Sequence, residues 1–242
     1  MAATARYRVI HETRYSYSSV VTGAHQLAHL APRATEWQRV LAHPLDIDPQ
    51  PAERGTGRDF FGNEIVRLAV DLPHEILTAR AESAVEVDAH APDPAADSPP
   101  WESALSTLGV WGPGVDLDVE QYRVGSPAVP LLAAAREYAR PSFAPARPWV
   151  EAVLEFTRRI SKDFTYDPEA TTVSTGIDEV LQQRRGVCQD FTHLMLSCLR
   201  PLGLSARYVS GYVLNRPRPG APRMAGADAS HAWVTSHCPM LG

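Results

Sequence analysis

The stretch Gly186-Val187-Cys188-Gln189-Asp190-Phe191-Thr192-His193 opens a helix and brings a thiol to its start. Behind it, Val187, Phe191, Leu194, Met195, Cys198 and Leu202 recur at the spacing of one helical face. Gly203 is the usual C-terminal stop, and Leu204 supplies the apolar residue after it. The spacing predicts a helix over 187–202 whose last turn Pro201 distorts, because proline removes a hydrogen bond. Cys188 falls in the first turn. Unpaired backbone N–H groups and the helix dipole there favour an anion, hence a thiolate. The same N–H groups suit an oxyanion formed by attack on a carbonyl. Asp190 acts in two directions: it suits the dipole, yet a carboxylate near a thiol opposes ionisation. Cys198, on the apolar stripe, reads as a small buried hydrophobe.

A thiol nucleophile needs a base. His231 is the candidate, at the start of the strand-like run Ser230 to Ser236 that follows a Pro-rich loop (Pro217, Pro219, Gly220, Pro222). His193 lies five positions after Cys188, about 140° away around a helix, and is expected to face elsewhere. A metal set of His231, His237 and Cys238 matches no common zinc spacing. No metal site and no cofactor are expected.

Working upstream, the first 90 residues read as β-structure. Tyr7, Val9, His11, Thr13 and Tyr15 alternate with Arg6, Arg8, Ile10, Glu12 and Arg14. Trp37 to Ile47 is extended and broken by Pro44. Phe61-Gly62-Asn63 is a turn before the strand Glu64 to Val70, and Glu75 to Val87 is a further long strand. Short strands with Gly and Pro punctuation predict an antiparallel β-sandwich. Pro92, Pro94, Pro99 and Pro100 then mark a linker or surface loop. Trp101, Leu105, Leu108 and Trp111 suit packing on either neighbour. From Pro127 the period turns helical. Val129, Leu132, Ala133, Arg136 and Ala139 share one track, ended by Pro141. A second helix opens at Pro148 with an apolar face of Trp149, Val150, Val153, Leu154, Thr157 and Ile160. A third spans Gly176 to Gln183 with Thr175 as N-cap, and Ser205 to Leu214 is a strand. The expected domains are 1–90, β-rich; 91–126, Pro-rich linker and undecided segment; and 127–242, the α+β core.

The 242 residues are 44% apolar and 21% charged, an ordinary globular balance that argues against wholesale disorder. Twenty-three basic against 28 acidic side chains give a net charge of −5, so nucleic-acid binding is not the expected main business. Lys162 is the one lysine among the basic residues, a bias that genomic base composition explains. Met1 to Tyr17 has no apolar h-region, and no run approaches the roughly 18 apolar residues of a membrane span. Three cysteines argue against a disulfide framework. A cytoplasmic, reduced protein without membrane or nucleic-acid partners is the expectation.

Three ordered blocks resemble the bacterial branch of the transglutaminase-like superfamily. They are Gly186 to His193, Leu202 to Tyr212 and Asp228-Ala229-Ser230-His231-Ala232-Trp233-Val234. Phe164-Thr165-Tyr166-Asp167, the Gly176 to Gln183 helix, Asp59-Phe60-Phe61-Gly62-Asn63-Glu64 and Leu72-Pro73-His74 are similar to further family segments. The resemblance implies a papain-like arrangement of helices packed on an antiparallel sheet. Cys188 would attack a carboxamide carbonyl, and His231 would shuttle the proton. The substrate would be a glutamine-type amide of a protein or peptide, or a small amide. A third residue, an aspartate on the strand after the histidine strand, would orient the imidazole. No residue before Gly242 matches it, and Asp228 is too close to His231 for the transfer. The expectation is a C-terminally incomplete core, as a fragment of a longer enzyme or an impaired copy. The alternative is a binding or scaffold module that kept the fold.

Overall fold

The structure, a computed structural model, describes residues 4–89, 98–107, 116–172, 174–214 and 230–238. The fold is α+β with antiparallel sheets. The chain divides into two compact units, Met1–Ala91 and Pro92–Gly242.

The first unit is built from two antiparallel sheets. Long strands β1 (Thr4–Val21) and β7 (His74–Asp88) pair from Thr4↔Asp88 to Ser16↔Ile76. The other edge of β7 carries β3 (Gln38–Ala42) and β4 (Leu45–Asp48). Pro44 separates these two, because it cannot donate to the ladder; its carbonyl still accepts from the Glu82 N–H at 3.0 Å. The second sheet has the order β2 (Ala24–Ala28), β6 (Glu64–Val70), β5 (Glu53–Arg58). Leu45, Ile47, Leu77 and Ala81 from the first sheet meet Ala24, Val66, Leu68 and Val70 from the second in one buried cluster. That shared core is the sandwich that the alternation predicts. The expected turn before β6 is fixed by Asp59. Its carboxylate accepts from the Asn63 N–H and the Asn63 amide, each at 2.8 Å, and Gly62 takes φ +76°.

The second unit packs helices around one core. They are α1 (Ser103–Thr107), α2 (Leu117–Glu120), α3 (Ala133–Ala139), α4 (Trp149–Asp163), α5 (Ile177–Gln183) and α6 (Cys188–Leu199). A parallel pair, β8 (Thr165–Tyr166) with β9 (Arg185–Gly186), precedes α6. An antiparallel pair, β10 (Ala206–Gly211) with β11 (His231–Ser236), lies against it. Phe143, Phe156, Phe164, Phe191 and Tyr138 meet through successive edge-to-face and tilted ring contacts at 5.8–6.0 Å between centroids.

Three local expectations are corrected, and the segment left undecided is placed. Of the segment 91–126, residues 98–107 and 116–126 are described, and the part left open from Trp101 onward packs within this unit. Ala104 is buried in its core, with Trp101, Leu105 and Val119 packed on it. Helix α3 starts at Ala133 rather than Pro127, since Pro130 supplies no N–H and Val129 is bridged to Ser126. The buried track of α4 is Trp149, Ala152, Phe156 and Ile160; Thr157 is exposed and its hydroxyl donates to the Val153 carbonyl at 2.8 Å. The aromatic cluster captures Phe156 and turns the helix about that side chain. Gly176, not Thr175, is the N-cap of α5, because the Thr175 hydroxyl accepts the Thr172 N–H at 2.9 Å instead. The distortion expected at Pro201 is present: α6 ends at Leu199 and Arg200–Leu202 tightens into a 3₁₀ turn before Gly203 at φ +88°.

The N-terminus of α4 is capped from far away in sequence. Pro148 at its N-cap offers no side-chain oxygen, so the Pro99 carbonyl accepts the Trp149 N–H at 2.9 Å. The Ser98 hydroxyl accepts the Val150 N–H at 3.0 Å. Ser98→Ala should cost about 1 kcal/mol, as loss of a helix cap does. A urea titration followed by tryptophan fluorescence checks this; an unchanged midpoint would show that the hydroxyl is dispensable.

Candidate active site

Cys188 is the first residue of α6, after an extended Val187 at the N-cap. Phe191 is the first to donate a helical hydrogen bond, to the Val187 carbonyl at 3.1 Å. The N–H groups of Cys188 and Gln189 therefore have no partner within the helix. The Asp190 carboxylate is 5% exposed; its Oδ2 accepts from the Val187 N–H at 2.8 Å and from the Thr171 hydroxyl at 2.6 Å. A charge at N3 also complements the helix dipole. Gly186 is required by close approach: a Cβ there would stand 2.7 Å from Asp190 Oδ2. The Thr192 hydroxyl donates back to the Cys188 carbonyl at 2.7 Å. The parallel β8–β9 pairing holds the approach to the thiol, with the Asp167 N–H on the Gly186 carbonyl at 2.9 Å.

The strands opposite are in register from Ala206↔Ser236 to Gly211↔His231. Tyr208 packs on His193 of α6 with ring centroids 5.2 Å apart. Burial raises the Tyr208 phenol above its ordinary range, and the nearby Cys188 and Asp190 charges add to the rise. Burial lowers the His193 imidazole, with Asp190 opposing. His193 thus borders the same site, although the helical wheel turns it away from Cys188; the missed signal is its cross-element contact with Tyr208. His231 opens β11, the strand on which α6 packs. Its Nε2 is buried and, among the described residues, has no hydrogen-bond partner. Cross-strand partners share a face, so His231, Gly211 and Trp233 lie on one side of the pair. Tyr208 and Val234 lie on the other, toward the core that includes α6. The structure therefore packs α6 on the strand that His231 opens, but the register sets the His231 position on the face of the pair away from α6. Among the described residues, no hydrogen bond joins the Cys188 thiol to His231. Asp228 lies outside the described residues. Among those described, no three His, Cys, Asp or Glu side chains cluster as a metal site, and no helix is long and apolar enough to cross a membrane.

Residues 7–86 match the family described as the bacterial transglutaminase-like N-terminal region, and residues 136–239 match the transglutaminase-like superfamily core. The chain belongs to the transglutaminase-like superfamily. It is 44% identical over 244 residues to uncharacterized proteins of Mycobacterium bovis and Mycobacterium tuberculosis, covering 99% of this chain and 76% of theirs. An uncharacterized Mycobacterium leprae protein is 32% identical over 233 residues, covering 95% of this chain and 78% of its own. Among solved structures, a candidate cysteine protease from Cytophaga hutchinsonii shares the fold. Its TM-score is 0.72 at 20% identity, over 99% of this chain and 76% of that one.

The three thiols differ sharply in setting. Cys188 is partly exposed, whereas Cys198 and Cys238 are buried. Burial pushes the Cys198 thiol up to about 12, against partial opposition from Arg159 and Arg184. Brief alkylation with peptide mapping should label Cys188 and spare Cys198; the reverse order would remove Cys188 as the reactive thiol. The ordinary thiol value is 9.0, so between there and about 12 the folded chain keeps a proton that the unfolded chain releases. Folding stability is full below that window and falls as pH rises through it. Cys198→Val should flatten this alkaline loss in urea titrations run from neutral pH upward.

Proposed function

We propose that this protein carries out thiol-dependent acyl chemistry on an amide, with Cys188 as nucleophile and His231 as base. The observation that carries the reading is the placement of Cys188. It is the partly exposed cysteine, it stands at the first position of α6, and α6 packs on the strand that His231 opens. In the first half-reaction the thiolate attacks the carboxamide carbon. The N–H groups at the start of α6 receive the developing oxyanion. The imidazole takes the thiol proton and returns it to the leaving nitrogen, so that ammonia or an amine departs and a thioester remains. In the second half, water or a lysine-type amine attacks the thioester and the thiol is restored. The substrate is a glutamine-type amide of a protein or peptide, or a small amide. Resting geometries of catalytic pairs are commonly looser than those of the substrate complex, and here the imidazole at the strand end must turn toward α6 to close the missing hydrogen bond between Cys188 and His231.

A second reading, a transglutaminase-fold binding module without turnover, is favoured by that same missing bond and by the unpartnered Nε2 of His231. The two readings separate on the covalent intermediate. Incubation with a glutamine peptide should give a protein adduct equal to the peptide mass less ammonia, mapped to Cys188. His231→Ala should slow its formation by about 10²–10⁴-fold, with circular dichroism unchanged. Ammonia release, with and without a primary amine, then distinguishes hydrolysis from crosslinking. Adduct formation in Cys188→Ala at the native rate would refute the nucleophile; no adduct in the native chain favours the binding module.

A further inference from the structure

Asp190 is a buried carboxylate that the proposed chemistry does not use. A buried charge is costly unless hydrogen bonds meet it, and here two donors converge on one oxygen. One is the N–H of Val187, the residue just before the thiol, at 2.8 Å. The other is the hydroxyl of Thr171, at 2.6 Å. Thr171 follows β8, and the β8–β9 pairing lays that segment along Gly186 through the Asp167 N–H on the Gly186 carbonyl. At Gly186 itself a Cβ would approach Asp190 Oδ2 to 2.7 Å and Asp190 Cβ to 2.9 Å, so the backbone closes directly on the carboxylate. The body of α6 is held by other means, since Leu194, Leu196 and Leu199 are fully buried. What the Asp190 contacts fix is therefore local: the peptide that joins Gly186 to Val187, one residue before the thiol.

We infer that Asp190, clamped by Thr171, is the positioning residue of the nucleophile. The latch sets the Gly186–Val187 peptide, from which the chain enters α6, and with it the direction of the thiol relative to the first N–H groups of α6. The inference rests on the proposed role of Cys188, and its test reads the thiol directly, without turnover. The second-order rate of Cys188 alkylation by iodoacetamide is measured by peptide mapping in folded protein and again in denaturing urea. Thr171→Val should slow the folded-state reaction about tenfold, because a thiol displaced from the helix N-terminus loses its activation. Thr171→Ser keeps the hydroxyl and should return the rate to within about twofold. In urea all variants should react alike. Thr171→Ala removes the same hydroxyl, leaves the Asp190 charge beside the thiol in place, and should also slow the folded-state reaction. It stands in if Thr171→Val does not fold cooperatively. Native rates in folded Thr171→Val or Thr171→Ala would overturn the latch, as would a Thr171→Ser variant as slow as the valine. Hydroxyl-dependent alkylation in a chain that forms no thioester would keep the latch and overturn only the acyl-transfer reading.

Discussion

The second unit depends on how one buried carboxylate is satisfied. Asp190 sits inside the structure, and the donors that meet it come from the chain before α6 and from the segment after β8. Leaving either donor out would strand a charge in a low-dielectric setting, which is far more costly than losing an ordinary surface hydrogen bond. That cost couples three pieces of chain that share no local sequence signal: Thr171, Gly186-Val187 and the first turn of α6. It also explains why the first turn of α6 can remain open at Cys188 and Gln189. The carboxylate caps the amide that precedes the helix, leaving the next two for another anion.

The first unit is organised by a different constraint. β7 is flanked on both edges, by β1 along most of its length and by β3 and β4 in succession, and so cannot move without breaking both ladders. Its buried residues Leu77 and Ala81 face the other sheet. Glu82 and Glu86, which point the other way, bond Arg8, Arg6 and Arg39 across the strands. These contacts hold both carboxyls below their usual range. The Arg8–Glu82 pair is exposed and contributes little, so its role is register, whereas Glu86 is largely buried beneath the exposed arms of Arg6 and Arg39.

What the sequence makes legible follows from the range of the interactions. The strands Glu64–Val70 and His74–Asp88 and the body of α6 are periodic within themselves, and short windows reveal them. β5 escapes because Glu53–Arg58 is polar and exposed on a sheet edge, with no alternation to see. β2 escapes because five residues are too few. The burial phase of α4 was hidden because Ala152 carries little apolar weight, yet its small size lets neighbours close on it. The cap on α4 comes from Ser98 and Pro99, some fifty positions upstream, inside a segment that composition alone marks as linker. At the site, the position of Cys188 at a helix start was legible from spacing. Thr171 as the partner of Asp190 and Tyr208 as the neighbour of His193 were not, because each joins two elements.

The bias toward arginine has a structural use in this fold, whatever its origin in codon usage. Arg200, buried just past the end of α6, spreads its planar head over two acceptors. Nε and Nη2 meet the Ala206 carbonyl at 3.2 and 3.0 Å, and Nη1 meets the Val124 carbonyl at 2.9 Å. Burial lowers its affinity for the proton, yet a guanidinium stays charged where an ammonium would be pressed to neutralise. Arg159 and Arg184 lie over the Tyr138 ring at 4.7 and 4.6 Å, a stacking that a point charge on a lysine stem could not reproduce with its fork. Helix α6 is thus anchored at both ends by charged side chains. Asp190 ties its start to the β8–β9 side, and Arg200 ties its end to the first residue of β10 and to the segment after α2. A helix fixed only by its apolar stripe could slide or rotate by a fraction of a turn at modest cost. One fixed at both ends by directional bonds cannot, and that is what gives Cys188 a defined place against the strand that begins at His231.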